Sequence, residues 1–133
     1  MTKFPLKIVT PDGLFYDGDA ESITLRTSGG EVGILANHMD FVATLGMGRC
    51  KIVIDGKSRH AACIGGMVSV SKGSVTVVAT TFEWAENIDM ARAQRSAEKA
   101  KSIIESKTGH TKQEIALAEA RLKRALVRIG TAK

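Results

Sequence analysis

Lys51-Ile52-Val53-Ile54-Asp55-Gly56-Lys57-Ser58 decides the fold of the first two-thirds of the chain. A β-branched run stops at Asp55-Gly56, and both of those turn positions need a positive φ, which makes the pair a strong two-residue hairpin signal. Pairing through that turn sets Cys50 opposite Ala61, with Cys63 a diagonal neighbour. Working outward, Ala61–Ile64, Met67–Ser71 and Ser74–Thr80 are predicted as three further strands, punctuated by Gly65-Gly66 and Lys72-Gly73. Upstream, Ser22–Thr27 alternates polar and apolar residues, as a half-buried strand does. Gly29-Gly30 ends that strand, and Thr10-Pro11-Asp12-Gly13 reads as a β-turn. Short strands without intervening helices predict an antiparallel sandwich or barrel.

The pattern changes near residue 85, and 11 of the 13 glycines precede that point. Ala93, Ala97, Ala100 and Ile104 recur at helical spacing, with Asn87 as the expected cap and Asp89 in the first turn. Ser106–His110 is a predicted break, with Gly109 suited to a left-handed conformation. Thr111 and Glu114 form a Thr-x-x-Glu capping box for a second helix, whose expected apolar stripe is Ile115, Ala118, Leu122, Leu126 and Ile129. So short a link predicts antiparallel neighbours. Alanine contacts bury little area, so the seam between these helices is worth a few kcal/mol at most, on the order of 25 cal/mol per Å² buried. The expected class is α+β: an N-terminal antiparallel β-sandwich over 1–84, then a two-helix hairpin over 85–133 that is able to detach or rearrange.

The 133 residues are 44% hydrophobic and 25% charged, which argues against global disorder. No apolar run approaches the ~20 residues that span a bilayer. The start, Met1-Thr2-Lys3-Phe4-Pro5, has no signal-peptide core, so secretion is not expected. Cys50 and Cys63 read as reduced small hydrophobes, because diagonal Cβ atoms lie ~7 Å apart. His38, His60 and His110 have no ligand-type partner at i+4, so no metal is expected. Gly56-Lys57-Ser58 imitates the end of a P-loop, but position 51 is Lys51 and the triplet sits in a hairpin. No nucleophile elbow is present, which makes catalysis the lesser expectation.

Charge is unevenly spread. Residues 1–87 hold 8 basic and 9 acidic side chains, whereas residues 88–133 hold 11 and 5. Arg92, Arg95 and Lys99 recur at i, i+3, i+7, and Arg121, Arg124 and Arg128 repeat that spacing. Guanidinium forks suit phosphates or carboxylates, so the stripes point to an anionic partner; a plain solvated helix surface gives the same pattern. Nucleic acid is not expected, because one Trp, one Tyr and four Phe supply few stacking platforms near the stripes.

An ordered set of motifs runs through the chain: Thr10-Pro11-Asp12-Gly13, Phe15–Glu21, Arg26-Thr27, Gly30–Leu35, His38, Gly65-Gly66, Val75–Ala79 and Ile88–Ala93. In this order and spacing the chain resembles the epsilon subunits of bacterial F-type ATP synthases (delta in mitochondria). The resemblance implies a non-catalytic rotor-stalk subunit at the cytoplasmic face of the cell membrane, peripheral and not inserted. Its head would bind the gamma subunit and sit on the c-ring, with Glu31 and His38 in the rotor-contact region. Its hairpin would lie folded, or extend to meet acidic segments of the beta and alpha subunits through Arg95, Lys99 and Arg121, and so inhibit ATP hydrolysis. No cofactor is required. Some members bind ATP as a regulatory ligand, and the matching positions here are Glu83, Ile88, Asp89, Arg92, Ala93, Arg124 and Arg128. Lys99 departs from the arginine of ATP-binding members. Ala36-Asn37 and Met39-Asp40 depart from the usual loop. The alternative is a free-standing nucleotide-binding module working through the basic hairpin, and a third reading is an enzyme with an unrecognised pocket.

Overall fold

The computed structural model describes residues 2–106 and 109–132. Seven strands come first: β1 (Phe4–Thr10), β2 (Gly13–Ala20), β3 (Ser22–Thr27), β4 (Gly30–Leu35), β5 (Phe41–Ile54), β6 (Lys57–Ser71) and β7 (Ser74–Trp84). A 3-10 turn over Ala85–Asn87 leads into α1 (Met90–Glu105), and α2 (Lys112–Ala132) follows. The chain divides into two compact units, Met1–Trp84 and Ala85–Lys133.

The strands hydrogen-bond as one sheet in the order β2-β1-β7-β6-β5-β3-β4. Yet Leu6 and Ile8 of β1 share a single core with Ile23 and Leu25 of β3 and Ile34 of β4, from the other end of that order. The sheet must therefore fold over on itself. The crease is visible in three long strands at one level. Core residues change phase from Leu45 to Cys50 in β5, from Cys63 to Val68 in β6, and from Ala79 to Phe82 in β7. Glycines mark the crease: Gly46 and Gly48 in β5, and Gly65 and Gly66 at φ +71° and +122° in β6. The two halves of each long strand then face one core from opposite layers, which is a β-sandwich made from one ladder.

Most of the expected strands are present, with differences. Gly65-Gly66 does not separate two strands; β6 runs continuously through it. β1, β2, β4 and the first half of β5, not expected as strands, extend the sheet on both sides, and β1 alternates as plainly as β3. All pairs are antiparallel except β1 with β7, which run parallel because the chain between them crosses both layers before returning. The Asp55-Gly56 turn forms as expected, with φ +50° and +76°. Cys50 pairs with Ala61, and Cys63 with Gly48. Both thiols are free and buried; burial raises the Cys50 thiol well above its ordinary range and pushes Cys63 up to about 12.

The hairpin forms with its caps rearranged. Asn87 lies in the 3-10 turn, and Asp89 is the N-cap of α1, its Oδ1 accepting from Arg92 N at 3.0 Å. Asp89 has the extended backbone (φ −78°, ψ 95°) a cap requires. Thr111 caps α2 as expected, its hydroxyl accepting from Glu114 N at 3.1 Å. Glu114 also meets His110 Nδ1 at 3.0 Å, so His110, against expectation, does have a carboxylate at i+4; that contact, with the cap, holds the Glu114 carboxyl below the usual range. Gly109 has φ +88°; Lys107 and Thr108 of the expected break lie outside the described residues. The seam uses Ala93, Ala97 and Ala100 against Ala118 and Ala125, while Leu126 is half exposed. The expected α2 stripe holds at Ala118, with Ile115, Leu122 and Ile129 partly buried, and differs at one place: Ala125 takes the seam position expected of Leu126, since helix phase and not side-chain size selects what reaches the seam.

A Cβ on Gly66 would stand 2.0 Å from the Val78 carbonyl oxygen, whereas one on Gly56 meets nothing within 4 Å. Gly66→Ala should therefore cost about 3 kcal/mol or more, and Gly56→Ala about 1 kcal/mol. Urea melts of the two variants check the difference; equal losses would mean that the crease tolerates a side chain.

Candidate functional site

Two surfaces collect the chemistry. The first lies on the outward face of one sandwich layer. Register places Leu14 beside Val9, Val9 beside Val78, Val78 beside Met67, and Met67 beside Thr44. Paired residues share a face, so these five form one row across five strands. Leu14 is 61% exposed, Val78 53% and Met67 50%. An apolar cleft of about 320 Å³ opens beside the row, between Thr10-Pro11, Gly66 and Thr80. Along β5, Val42 shares the face of Thr44 and extends the apolar surface toward Met39, both exposed. The loop that presents Met39 is well held. Asn37 takes φ +64°, which asparagine tolerates, so Ala36-Asn37 still turns the chain. Asp40 Oδ1 accepts from Lys72 N at 2.9 Å and ties the loop to the β6–β7 turn.

His38 lies in that loop, its Nδ1 2.8 Å from the Met39 carbonyl oxygen and its ring 5.2 Å from Phe41. Glu31 lies at the far end of β4, opposite Arg26 and exposed. The two expected contact residues therefore bracket a strand and do not converge on one point. The apolar row itself is absent from the sequence reading. Its trace there is Val75-Thr76-Val77-Val78-Ala79, an almost continuous apolar run where a one-sided strand would alternate.

The second surface is the hairpin. At about 100° per residue, Arg92 and Lys99 lie roughly 110–130° round from the alanine seam of α1. Arg121, Arg124 and Arg128 lie roughly 50–110° round from the seam of α2 in the same rotational sense. In an antiparallel pair, equal rotation in the same sense means the same side of the hairpin, so these five cations share a flank. Arg95 lies opposite the seam, away from the others. The Ala85–Asn87 turn meets α2. Among the described residues Arg92, Arg95, Lys99, Arg121 and Arg124 have no ion pair, whereas Arg128 is engaged.

The remaining positions of the Ile-Asp-x-x-Arg-Ala motif have local work. Ile88 N donates to Ala85 O at 3.3 Å, and Ala93 N to Asp89 O at 3.0 Å. Ala93 is buried in the seam. Glu83, opposite Ala62 in β7, is half-buried and belongs to the first unit, while the other six nucleotide positions belong to the second. Among the described residues no three His, Cys, Asp or Glu side chains are grouped to hold a metal, and no helix is long and apolar enough to cross a membrane.

Comparison with known proteins gives a consistent result. Residues 3–85 match the family model of the ATP synthase delta/epsilon chain beta-sandwich domain, and residues 86–133 that of its long alpha-helix domain. The ATP synthase epsilon chain of Ruminococcus albus is 43% identical over 133 residues, covering 99% of this chain and 98% of the relative. That of Caldanaerobacter subterraneus subsp. tengcongensis is 39% identical over 130 residues, 97% and 93% of the two. In fold, the chain is similar to one in the mitochondrial ATP synthase of Euglena gracilis solved with its c-ring. That match has a TM-score of 0.80 at 24% identity, over 92% of this chain and 77% of the other. A chain of the Tetrahymena thermophila central stalk and c-ring matches with a TM-score of 0.66 at 15% identity, over 99% and 98%.

The cap geometry separates two roles of one residue. Asp89→Ala should cost about 1 kcal/mol of hairpin stability, Asp89→Asn only a few tenths, and Asn87→Ala almost nothing. Thermal melts followed by circular dichroism at 222 nm rank the three; an equal loss for Asn87→Ala would return the cap to that residue.

Proposed function

The chain belongs to the ATP synthase delta/epsilon family, matched along both of its units, and on that premise we propose that it is a non-catalytic rotor-stalk subunit. Its head joins the gamma shaft to the c-ring, and its hairpin is a detachable brake. The observation that carries the first part is the exposed apolar row Leu14, Val78 and Met67. A contiguous apolar patch on a soluble domain marks a docking surface, and burial against gamma is what this row suits. On this reading Glu31 and His38, at the two ends of β4, meet polar loops of the c-ring at the cytoplasmic face of the membrane.

The second part rests on the hairpin. Its internal seam is made of alanine methyls, and among the described residues Arg92, Arg95, Lys99, Arg121 and Arg124 have no ion pair. Acidic segments of the beta and alpha subunits supply carboxylate partners when the hairpin extends. MgATP competes for the same flank, where the guanidinium groups of Arg92, Arg124 and Arg128 suit a triphosphate. A ligand that binds the folded hairpin alone stabilises it by about 2.7 kcal/mol at a hundredfold excess over Kd. Abundant ATP thereby holds the brake off.

Pulldown on purified gamma tests the head. The double variant Met67→Glu, Val78→Glu should bind about thirtyfold more weakly or worse, while melting close to the wild type because both sites face solvent. Undiminished binding would reject this face.

The hairpin is tested in the assembled enzyme. Truncation to residues 1–84 should preserve coupling and speed ATP hydrolysis, and unchanged hydrolysis removes the brake. Calorimetry with MgATP then isolates the sensing role. Heat from the wild type that Arg92→Ala abolishes supports it, and no heat at millimolar ligand removes sensing while leaving coupling intact.

A further inference from the structure

Trp84 is the only tryptophan in the chain and the last residue of β7. Its pairing with Ala61 closes the β6–β7 ladder. The ring is packed on several sides: Phe82 at 5.9 Å, edge-on at 87°; Phe15 at 5.3 Å; and Tyr16 at 6.4 Å, edge-on at 84°. The Arg59 guanidinium carbon lies 3.7 Å from the indole centroid, well inside cation–π range. Arg59 comes from β6, where it pairs with Ile52. One residue beyond Trp84 the second unit begins. The backbone there leaves the ladder for a short 3-10 turn, and regular helical bonding starts at Asp89 O to Ala93 N.

We infer that Arg59 is a positioning residue that clamps Trp84 and so fixes where the joint of the detachable hairpin begins, confining its motion to Ala85–Ile88. This rests on the detachable-hairpin reading given above. The physical argument is about the end of a ladder. A terminal strand pair frays, and an appendage that swings from it pulls on the last hydrogen bonds. The end of β7 resists that pull through side chains, since the indole is wedged among three aromatic rings. A planar cation lies across its face. The guanidinium carbon sits over the ring, and a planar guanidinium covers more of an indole face than a lysine ammonium, a point charge, so Arg59→Lys keeps the charge and loses the lid. With the clamp open, the joint retreats into β7, the hairpin hangs from a longer flexible segment, and its folded and extended positions are less sharply defined.

The test uses the full chain, and Trp84 is its own reporter. Hydrogen exchange in the wild type should protect amides 82–84 at least about tenfold over amides 85–88. Arg59→Ala should accelerate 82–84 by about tenfold, shift the tryptophan emission to the red, and leave the amides of β1 and β3 unchanged. Arg59→Lys should fall between. In the assembled enzyme, Arg59→Ala should weaken the brake and raise ATP hydrolysis about twofold or more. Equal exchange of 82–84 and 85–88 in the wild type overturns the clamp, as does an Arg59→Ala chain whose emission and exchange do not change. The two readings fail separately. If truncation to 1–84 speeds hydrolysis but Arg59→Ala changes nothing, only the clamp is lost. If truncation changes nothing while Arg59→Ala still frees Trp84, the brake is lost and the strand-end anchor remains.

Discussion

At Gly66 the backbone of β6 passes so close to that of β7 that no side chain fits between them. This close approach is the condition for the rest of the first unit. A ladder of seven strands has two edges and two faces, and left open it would expose one apolar face to water. Creasing β5, β6 and β7 at one level turns the two ends of the ladder toward each other and buries Leu6, Ile8, Ile23, Ile34 and Val77 in common. Glycine is required there for two reasons. The positive φ at Gly65 and Gly66 suits a residue without Cβ, and the pinched backbone excludes even a methyl group.

The crease also determines what the outside looks like. Because core residues change phase across it, Met67 and Val78 come to face outward, next to Val9 and Leu14. An apolar row is therefore left on one layer as a by-product of how the sheet closes. The same closure brings the end of β7 beside β2 and β6. Phe15, Tyr16, Phe82 and Trp84 collect there under the Arg59 guanidinium. The head thus ends in a rigid aromatic plug where the second unit starts.

The hairpin is built on the opposite principle. Its seam is of alanine, the smallest side chain that still packs, so helix propensity and caps contribute more to its order than burial does. Asp89 shows how closely capping and recognition are combined: the carboxylate that starts α1 belongs to the motif that the family resemblance links to nucleotide. The cationic flank is thus carried by two helices joined through a thin seam.

Local signals in the chain carried most of the architecture. Asp55-Gly56 announced its hairpin because only positive φ suits both positions, and Thr111 with Glu114 announced a helix start because the hydroxyl must serve an orphan amide. The alanine spacing of α1 read directly as a seam. Motif order was enough to identify the family, with Thr10-Pro11-Asp12-Gly13 at a turn, Gly65-Gly66 at the crease and Ile88–Ala93 at a helix start. What remained hidden depends on contacts distant in sequence. The continuity of β6 through Gly65-Gly66, the parallel pairing of β1 with β7, and the apolar row all arise from register between strands that local pattern does not encode. The choice of Asp89 over Asn87 as cap was settled by where the 3-10 turn leaves β7, and Leu126 lost its place in the seam to Ala125 through the phase of a packed helix. Sequence alone determined the elements and their chemistry, because those follow from neighbours along the chain. Only the folded structure decided which faces those elements turn to one another and which they leave for a partner, because that is a property of packing in three dimensions.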